Sequence, residues 1–160
     1  MALEIERKFL LRTDDWRAAV ESRELLRQGY LSSGSQCSIR ARIAGEQAWI
    51  NLKARRSGMT RLEFEYSIPV ADANEILDEL AQGPILEKYR HRIPAGEYVW
   101  EVDEFLGENA GLIVAEIELP NENAQFDRPS WVGEEVTEDE RYYNFNLAKN
   151  PYSQWRHELA

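Results

Sequence analysis

Glu4, Glu6 and Lys8 stand two apart in the opening stretch Leu3-Glu4-Ile5-Glu6-Arg7-Lys8-Phe9-Leu10. Side chains on an extended strand alternate faces, so these three project from one side while Ile5 and Phe9 project from the other. Two carboxylates and an ammonium then share a surface able to meet a cation and an anion together. The pattern returns along the chain. Arg40 and Arg42 flank Ala41, and Lys53 follows Ile50 and Leu52. Arg61, Glu63 and Glu65 alternate with Leu62 and Phe64; Lys88, Arg90 and Arg92 alternate with Tyr89 and His91. Glu101 and Asp103 enclose Val102, and Glu116 and Glu118 enclose Ile117. These repeated positions carry eight acids and eight bases.

Guanidinium and ammonium groups converging on one space favour a multiply charged anion, because both give charge-assisted hydrogen bonds to phosphate oxygens. Carboxylates in the same space would repel that anion unless divalent cations sit between them. Magnesium suits the role, since it keeps several waters and usually takes one or two carboxylates plus substrate phosphates. Other chemistries have few residues to work with. Cys37 is the only cysteine, which excludes an intramolecular disulfide and a thiolate-rich zinc site. Of the two histidines, His91 has the parity of the apolar face and reads as a packing residue, and His157 lies in a terminal segment. Catalysis therefore falls to carboxylates, lysines and arginines.

The elements that must position these groups are strands. An antiparallel sheet with one wet face gives the same alternation, but ordinary wet faces also draw on Ser, Thr, Asn and Gln. An inverted barrel explains so uniform a charge pattern better, with a polyionic interior and an apolar exterior covered by helices. Strands are predicted near 2–12, 24–33, 36–44, 46–54, 60–69, 84–94, 97–106 and 112–120. Turn signals join most of them, including Ser32-Ser33-Gly34-Ser35, Ala44-Gly45, Ser57-Gly58 and Pro94-Ala95-Gly96, as hairpins require. Helices are predicted over 14–22 behind Thr13, over 73–81 behind Asp72, and from a Thr137–Glu140 capping box through Tyr142, Phe145 and Leu147. The fold class is mainly β (α+β): a closed eight-stranded antiparallel barrel forming a tunnel, with a few helices outside.

The chain has 160 residues, 43% of them hydrophobic, and no glycine- or serine-rich linker, which suits one domain over 1–160. No apolar run approaches a membrane span and the start is charged from Glu4 onward, so a cytoplasmic protein is expected. A net charge of -10 argues against nucleic-acid and anionic-membrane partners. It leaves room for a small polyanion inside a basic cleft.

The Glu4-x-Glu6-x-Lys8 start, Arg40-Ala41-Arg42, Lys53, Glu63-Phe64-Glu65, Lys88 with Arg90, and Glu116-Ile117-Glu118, in this order, resemble the CYTH-type triphosphate tunnel metalloenzymes. The resemblance runs from Leu3 to about Leu147. Gly133-Glu134-Glu135-Val136-Thr137 followed by Arg141-Tyr142 is similar to the end of small bacterial members. It implies that Lys8, Arg40, Arg42, Lys53, Lys88 and Arg90 grip phosphate oxygens, with Arg141 a further substrate contact where relatives place a lysine. It implies metal ligands in Glu4, Glu6, Glu116 and Glu118, with Glu63, Glu65, Glu101 and Asp103 binding metal through water or orienting the bases. Mg²⁺ or Mn²⁺ is the cofactor expected from it. The reaction it implies is hydrolysis of inorganic triphosphate to pyrophosphate and phosphate, with Glu4, Glu6, Lys8 and Lys88 at the chemistry.

Other readings remain open. Class IV adenylate cyclase and thiamine triphosphatase would use the same tunnel, given an organic-group pocket around Trp49, Tyr66 or Trp131. A non-catalytic sensor of triphosphate or polyphosphate would keep the bases. A structural β domain would merely pair its charges, at roughly 0–1 kcal/mol for each exposed pair. A homodimer is compatible with all of them.

Overall fold

The period-two charge pattern folds as a succession of antiparallel strands. The computed structural model describes residues 2–34, 36–54 and 60–159. Its strands are β1 (Ala2–Leu11), β2 (Ser22–Ser33), β3 (Cys37–Ala44), β4 (Gln47–Ala54), β5 (Thr60–Ile68), β6 (Leu86–Ala95), β7 (Tyr98–Phe105), β8 (Ile113–Glu118) and β9 (Val132–Glu135). The hydrogen-bonded order is β5-β4-β3-β2-β6-β7-β8-β1, and β1 also pairs with β5, closing an eight-stranded antiparallel barrel. Predicted strands and observed strands agree to within two or three residues at almost every end. Gly45 and Gly96 hold positive φ in two of the hairpins, a backbone conformation that glycine alone adopts without strain. Ser35 and the Ser57-Gly58 turn lie outside the described residues.

Strand β1 makes the closure. Its first residues run from Ala2↔Glu63 to Ile5↔Thr60 against β5, and the next from Glu6↔Glu118 to Leu10↔Val114 against β8. Beyond the point where β5 stops, β9 takes over that edge, with Phe9↔Glu135 and Leu11↔Val132. This ninth strand is absent from the sequence expectation.

Apolar side chains on the outer face are covered in two places. Phe9, Trp100 and Trp131 meet edge to face with centroids 5.5 to 5.6 Å apart in successive pairs, joined by Phe126 from the segment after β8. Helix α1 (Val70–Leu80) buries Ala73 and Leu77 on Ala41, Ile43 and Ala48 of β3 and β4. Gly29 of β2 lies beneath it: a Cβ there would stand 2.9 Å from Leu77 Cδ2. The inner face changes character toward one end, where Leu10, Leu86, Phe105 and Val114 continue the rows of Lys8, Lys88, Asp103 and Glu116. There they join a cluster with Tyr142, Leu147 and Trp155. That end has an apolar floor.

The helices differ from expectation. The first is a 3-10 turn, Asp15–Ala19, that buries Trp16; Thr13 Oγ1 accepts from the Asp15 N–H at 3.2 Å. Helix α1 starts at Val70 after Pro69, so Asp72 sits in its first turn and is not its cap. The Thr137–Glu140 capping box does not form, because Thr137 Oγ1 is engaged by the Lys8 N–H and donates to Glu135. A 3-10 turn (Glu140–Tyr142) and the short helix α2 (Asn144–Lys149) follow, and they pack at the barrel's end and not on its flank. Among the described residues, no helix is long and apolar enough to cross a membrane.

Candidate active site

The inward faces of the barrel strands enclose one charged passage with two connected ends, which share Glu6, Arg40, Lys53 and Asn144. One end is base-rich: Lys8, Arg40, Lys53 and Arg61 line it beside Tyr30 and Ser38, and Glu140 and residues 143–146 border it. The other is acid-rich, with Glu4, Glu6, Glu24, Glu63, Glu65, Glu101, Glu116 and Glu118 facing Arg40, Arg42, Lys53, Arg90 and Arg92. Strand register sets these groups across from one another, Glu6 opposite Glu118 and Lys8 opposite Glu116.

Ion pairs hold many of these groups. Lys53 Nζ stands 3.1 Å from Glu4, and Lys8 Nζ 3.2 Å from Glu116 and 3.9 Å from Glu6. Arg90 forks onto Asp103 at 2.8 and 2.9 Å, and Lys88 meets the same carboxylate at 2.7 Å. The Asn51 amide donates to Glu63 at 3.1 Å and to Glu65 at 2.7 Å, fixing both acids on β5. Arg40 is different. It is 6% exposed and makes no ion pair among the described residues, and its Nε has no hydrogen-bond partner. Arg61 makes no ion pair among the described residues, and its guanidinium lies 4.7 Å from the centre of the Tyr143 ring.

Crowding of charge shows in the proton affinities. Burial, then the neighbouring Glu116, pushes Glu6 up to about 8. Burial would raise Glu116 as well, but Lys8, Arg90 and Lys88 outweigh it and hold that carboxyl well below the usual range. Burial, followed by Glu4 and Glu6, raises Glu118. Lys88 falls to about 8 because burial and Arg90 outweigh its Asp103 partner, and burial with Arg40 and Arg90 lowers Arg42 to about 10. Without a cation, Glu6 and Glu118 resist ionisation beside their neighbouring carboxylates.

Most residues singled out by pattern meet here: Glu4, Glu6, Lys8, Arg40, Arg42, Lys53, Glu63, Glu65, Arg90, Glu116 and Glu118 all line the passage. Three do not. Lys88 and Asp103, each 1% exposed, are locked together in the wall, where Lys88 also donates to Asn144 at 3.3 Å. Arg141 points away from both ends, forked onto Asp139 and lying 5.0 Å from the Trp155 ring centre. Trp131 is a core residue and Tyr66 lies open on the outer face, so neither borders the passage; Trp49 does, under Arg42. His91 packs against Trp16 with its Nε2 3.1 Å from Glu104, away from the interior. Among the described residues, no three acidic, cysteine or histidine groups are already gathered as a metal cage.

Several lining or supporting groups escaped the charge pattern. Glu24, Gln28 and Tyr30 share the inward parity of β2, and Asn51 that of β4, but three of these are uncharged and Glu24 stands alone. Asn144 and Tyr143 come from a segment with no strand periodicity. Their position follows only from the way the chain's last part folds back over the barrel.

Comparison with known proteins adds the lineage. An inorganic triphosphatase of Acetivibrio thermocellus is 47% identical over 156 residues, 98% of this chain and 99% of that protein. Another, of Nitrosomonas europaea, is 40% identical over 152 residues, covering 91% and 96%. The crystal structure of the inorganic triphosphatase NE1496 is similar with a TM-score of 0.65 at 37% identity, over 91% of this chain and 97% of that one. A profile of the CYTH domain matches residues 2–151. With that match running through every strand of the barrel and through the acids and bases inside it, the chain belongs to the CYTH family.

Proposed function

We propose that this chain hydrolyses inorganic triphosphate to pyrophosphate and phosphate, with a divalent cation held at the acid-rich end of its passage. The observation that carries the reading is Arg40, buried beside Lys53 and Arg61 with no counter-ion among the described residues. A buried cation of this kind costs stability unless an anion arrives to pair with it. The names of two relatives at 47% and 40% identity support the same reaction.

The donor set suits a hard cation. Glu4, Glu6, Glu116 and Glu118 offer only carboxylate oxygen, with no sulfur or imidazole lining that end among the described residues, and the repulsion that raises Glu6 and Glu118 is what a bound cation would relieve. Bound there, Mg²⁺ or Mn²⁺ would offset phosphate charge and acidify a coordinated water. Arg40, Arg42 and Lys53 donate to the phosphate oxygens and offset charge on the departing pyrophosphate. A carboxylate of the acid-rich end, Glu4 or Glu6, takes the proton of the attacking water. Lys88, Asp103 and Arg90 act from the wall: Asp103 fixes the guanidinium of Arg90 so that its remaining edge faces Glu101 and Glu116.

The aromatic groups at the base-rich mouth are already occupied. Tyr143 donates its hydroxyl to the Thr137 carbonyl and lies under Arg61, and Phe145 packs edge-on to Tyr30. That favours an inorganic substrate over adenosine or thiamine triphosphates. Incubation with tripolyphosphate, ATP and thiamine triphosphate, each with Mg²⁺, Mn²⁺ or chelator, tests it. Phosphate plus pyrophosphate from tripolyphosphate, fastest of the three and lost with chelator, is expected. Cyclic AMP from ATP would replace the proposal with the cyclase reading.

A further inference from the structure

Gln28 is one of the most deeply buried polar side chains, 1% exposed, and among the described residues neither its amide nitrogen nor its amide oxygen has a hydrogen-bond partner. Buried polar groups are almost always paired, so an amide orphaned at both ends marks a place where something else binds. Its direction follows from its neighbours. Leu26 lines the acid-rich end and Tyr30 the base-rich end, and Gln28 lies between them on the same inward-facing side of β2, in register on its other edge with Leu86 of β6. Gly29 confirms the parity by facing α1 on the opposite side. Across the sheet Gln28 is in register with Arg42 of β3, and Tyr30 with Arg40. The Nε atoms of Arg40 and Arg42 are buried and unpartnered as well. Adjacent strands thus present three unmet donors, from Gln28, Arg40 and Arg42, to one interior.

Gln28 differs from every other member of that set. Arginine and lysine only donate, and ionised glutamate only accepts, whereas an amide does both from one plane. Being neutral, it cannot be cancelled by an internal ion pair.

Resting on the triphosphatase reading above, we propose that Gln28 contacts the reacting end of the phosphate chain, its nitrogen donating to a phosphoryl oxygen and its oxygen accepting from the attacking water. As the water oxygen bonds to the terminal phosphorus, the bond from that phosphorus to the bridging oxygen breaks and its electron pair leaves on pyrophosphate. One water proton passes to a carboxylate of the acid-rich end, Glu4 or Glu6. The other, held on Gln28 Oε1, stays with the product phosphate. A glutamine that orients an attacking water is an established device in phosphoryl transfer.

The test replaces the amide by apolar groups of similar volume, Gln28→Leu and Gln28→Met, in the full chain with Mg²⁺. Three quantities are read: kcat and KM for tripolyphosphate, affinity for non-hydrolysable imidotriphosphate, and melting temperature. The expected result is a kcat lower by on the order of 10- to 100-fold, the low end of what losing one donor to a developing oxyanion costs. Imidotriphosphate affinity changes far less than kcat, and the melting temperature is unchanged or raised, since an orphaned amide has been removed. An unaltered kcat, or a loss confined to KM, overturns the proposal. If Gln28→Leu does not fold, Gln28→Met decides; failure of both makes Gln28 a packing residue and overturns it too. A wild-type chain inert toward tripolyphosphate overturns the triphosphatase reading as well, whereas an active wild type with unaffected variants overturns only the role of Gln28.

Discussion

Lys53 touches Glu4 at 3.1 Å yet borders both ends of the passage, so it is poised to exchange a carboxylate for a phosphate. Lys53→Ala is expected to raise the KM for tripolyphosphate roughly 10- to 100-fold, the range of one hydrogen bond to a charged group, with the fold intact. An unchanged KM in steady-state assays would remove Lys53 from the binding set. Glu116 carries a different prediction. It is ionised well into acid because the four bases Lys8, Arg90, Lys88 and Lys53 outweigh its burial, so Glu116→Gln removes an anion that is present at every working pH. The Mg²⁺ needed for half-maximal rate should rise, and turnover should fall. In the wild type, Glu6 holds its proton up to about 8, and a cation must displace it. Apparent metal affinity should therefore tighten as pH climbs from about 6 toward 8, measurable by Mg²⁺ titration of activity at fixed substrate. At this scale the charged residues were readable in the sequence because each stands between apolar neighbours at period two. Gln28 was not, since a neutral amide between Leu26 and Tyr30 carries no such contrast.

Among the elements, β9 is the one whose attachment is electrostatic as much as it is a ladder. Glu135 receives Arg7 Nε at 2.8 Å and Nη2 at 2.6 Å, and Thr137 and Arg128 also reach it. Hydrogen bonding from Arg7 holds the Glu135 carboxyl below its ordinary value of 4.5. The stabilisation is thus fully present above pH 4.5 and fades as pH falls through the depressed value. Glu135→Gln should cost roughly 1–2 kcal/mol at neutral pH, discounted for partial exposure, and should flatten the acid limb of a plot of unfolding free energy against pH. Equal losses at pH 7 and at about pH 3 would contradict the assignment. The strands of the barrel were legible from alternation and hairpin turns. Val132-Gly133-Glu134-Glu135 was not, because four residues with a glycine and two adjacent acids hold no period, and their partner is the far end of the chain. Thr137 and Glu140 have capping-box spacing, but Thr137 is consumed by tying that same strand to Lys8.

Taken whole, the molecule turns its polar groups inward and its apolar ones outward, so its packing lies between the barrel wall and what covers it. Trp100 is fully buried there, edge to face with Phe9, Trp131 and Phe126. Trp100→Ala is expected to lower the free energy of unfolding by about 3–5 kcal/mol, as large-to-small changes at such sites do, and urea denaturation reads it directly. A loss under about 1 kcal/mol would mean that the covering segment repacks. The closed barrel was inferable because acids and bases recurred with one parity in strand after strand. Its apolar floor was not, because Leu10, Leu86, Phe105 and Val114 look like ordinary core residues until closure puts them under the charges.

Strand β1 shares hydrogen bonds with β5, β8 and β9, and the Arg7–Glu135 fork joins groups 128 positions apart. β1, made before each of these partners, is therefore the last strand to find all its neighbours. Such distant pairing makes for slow acquisition of the native state, and the hairpins formed first must wait with unsatisfied edges exposed to other chains.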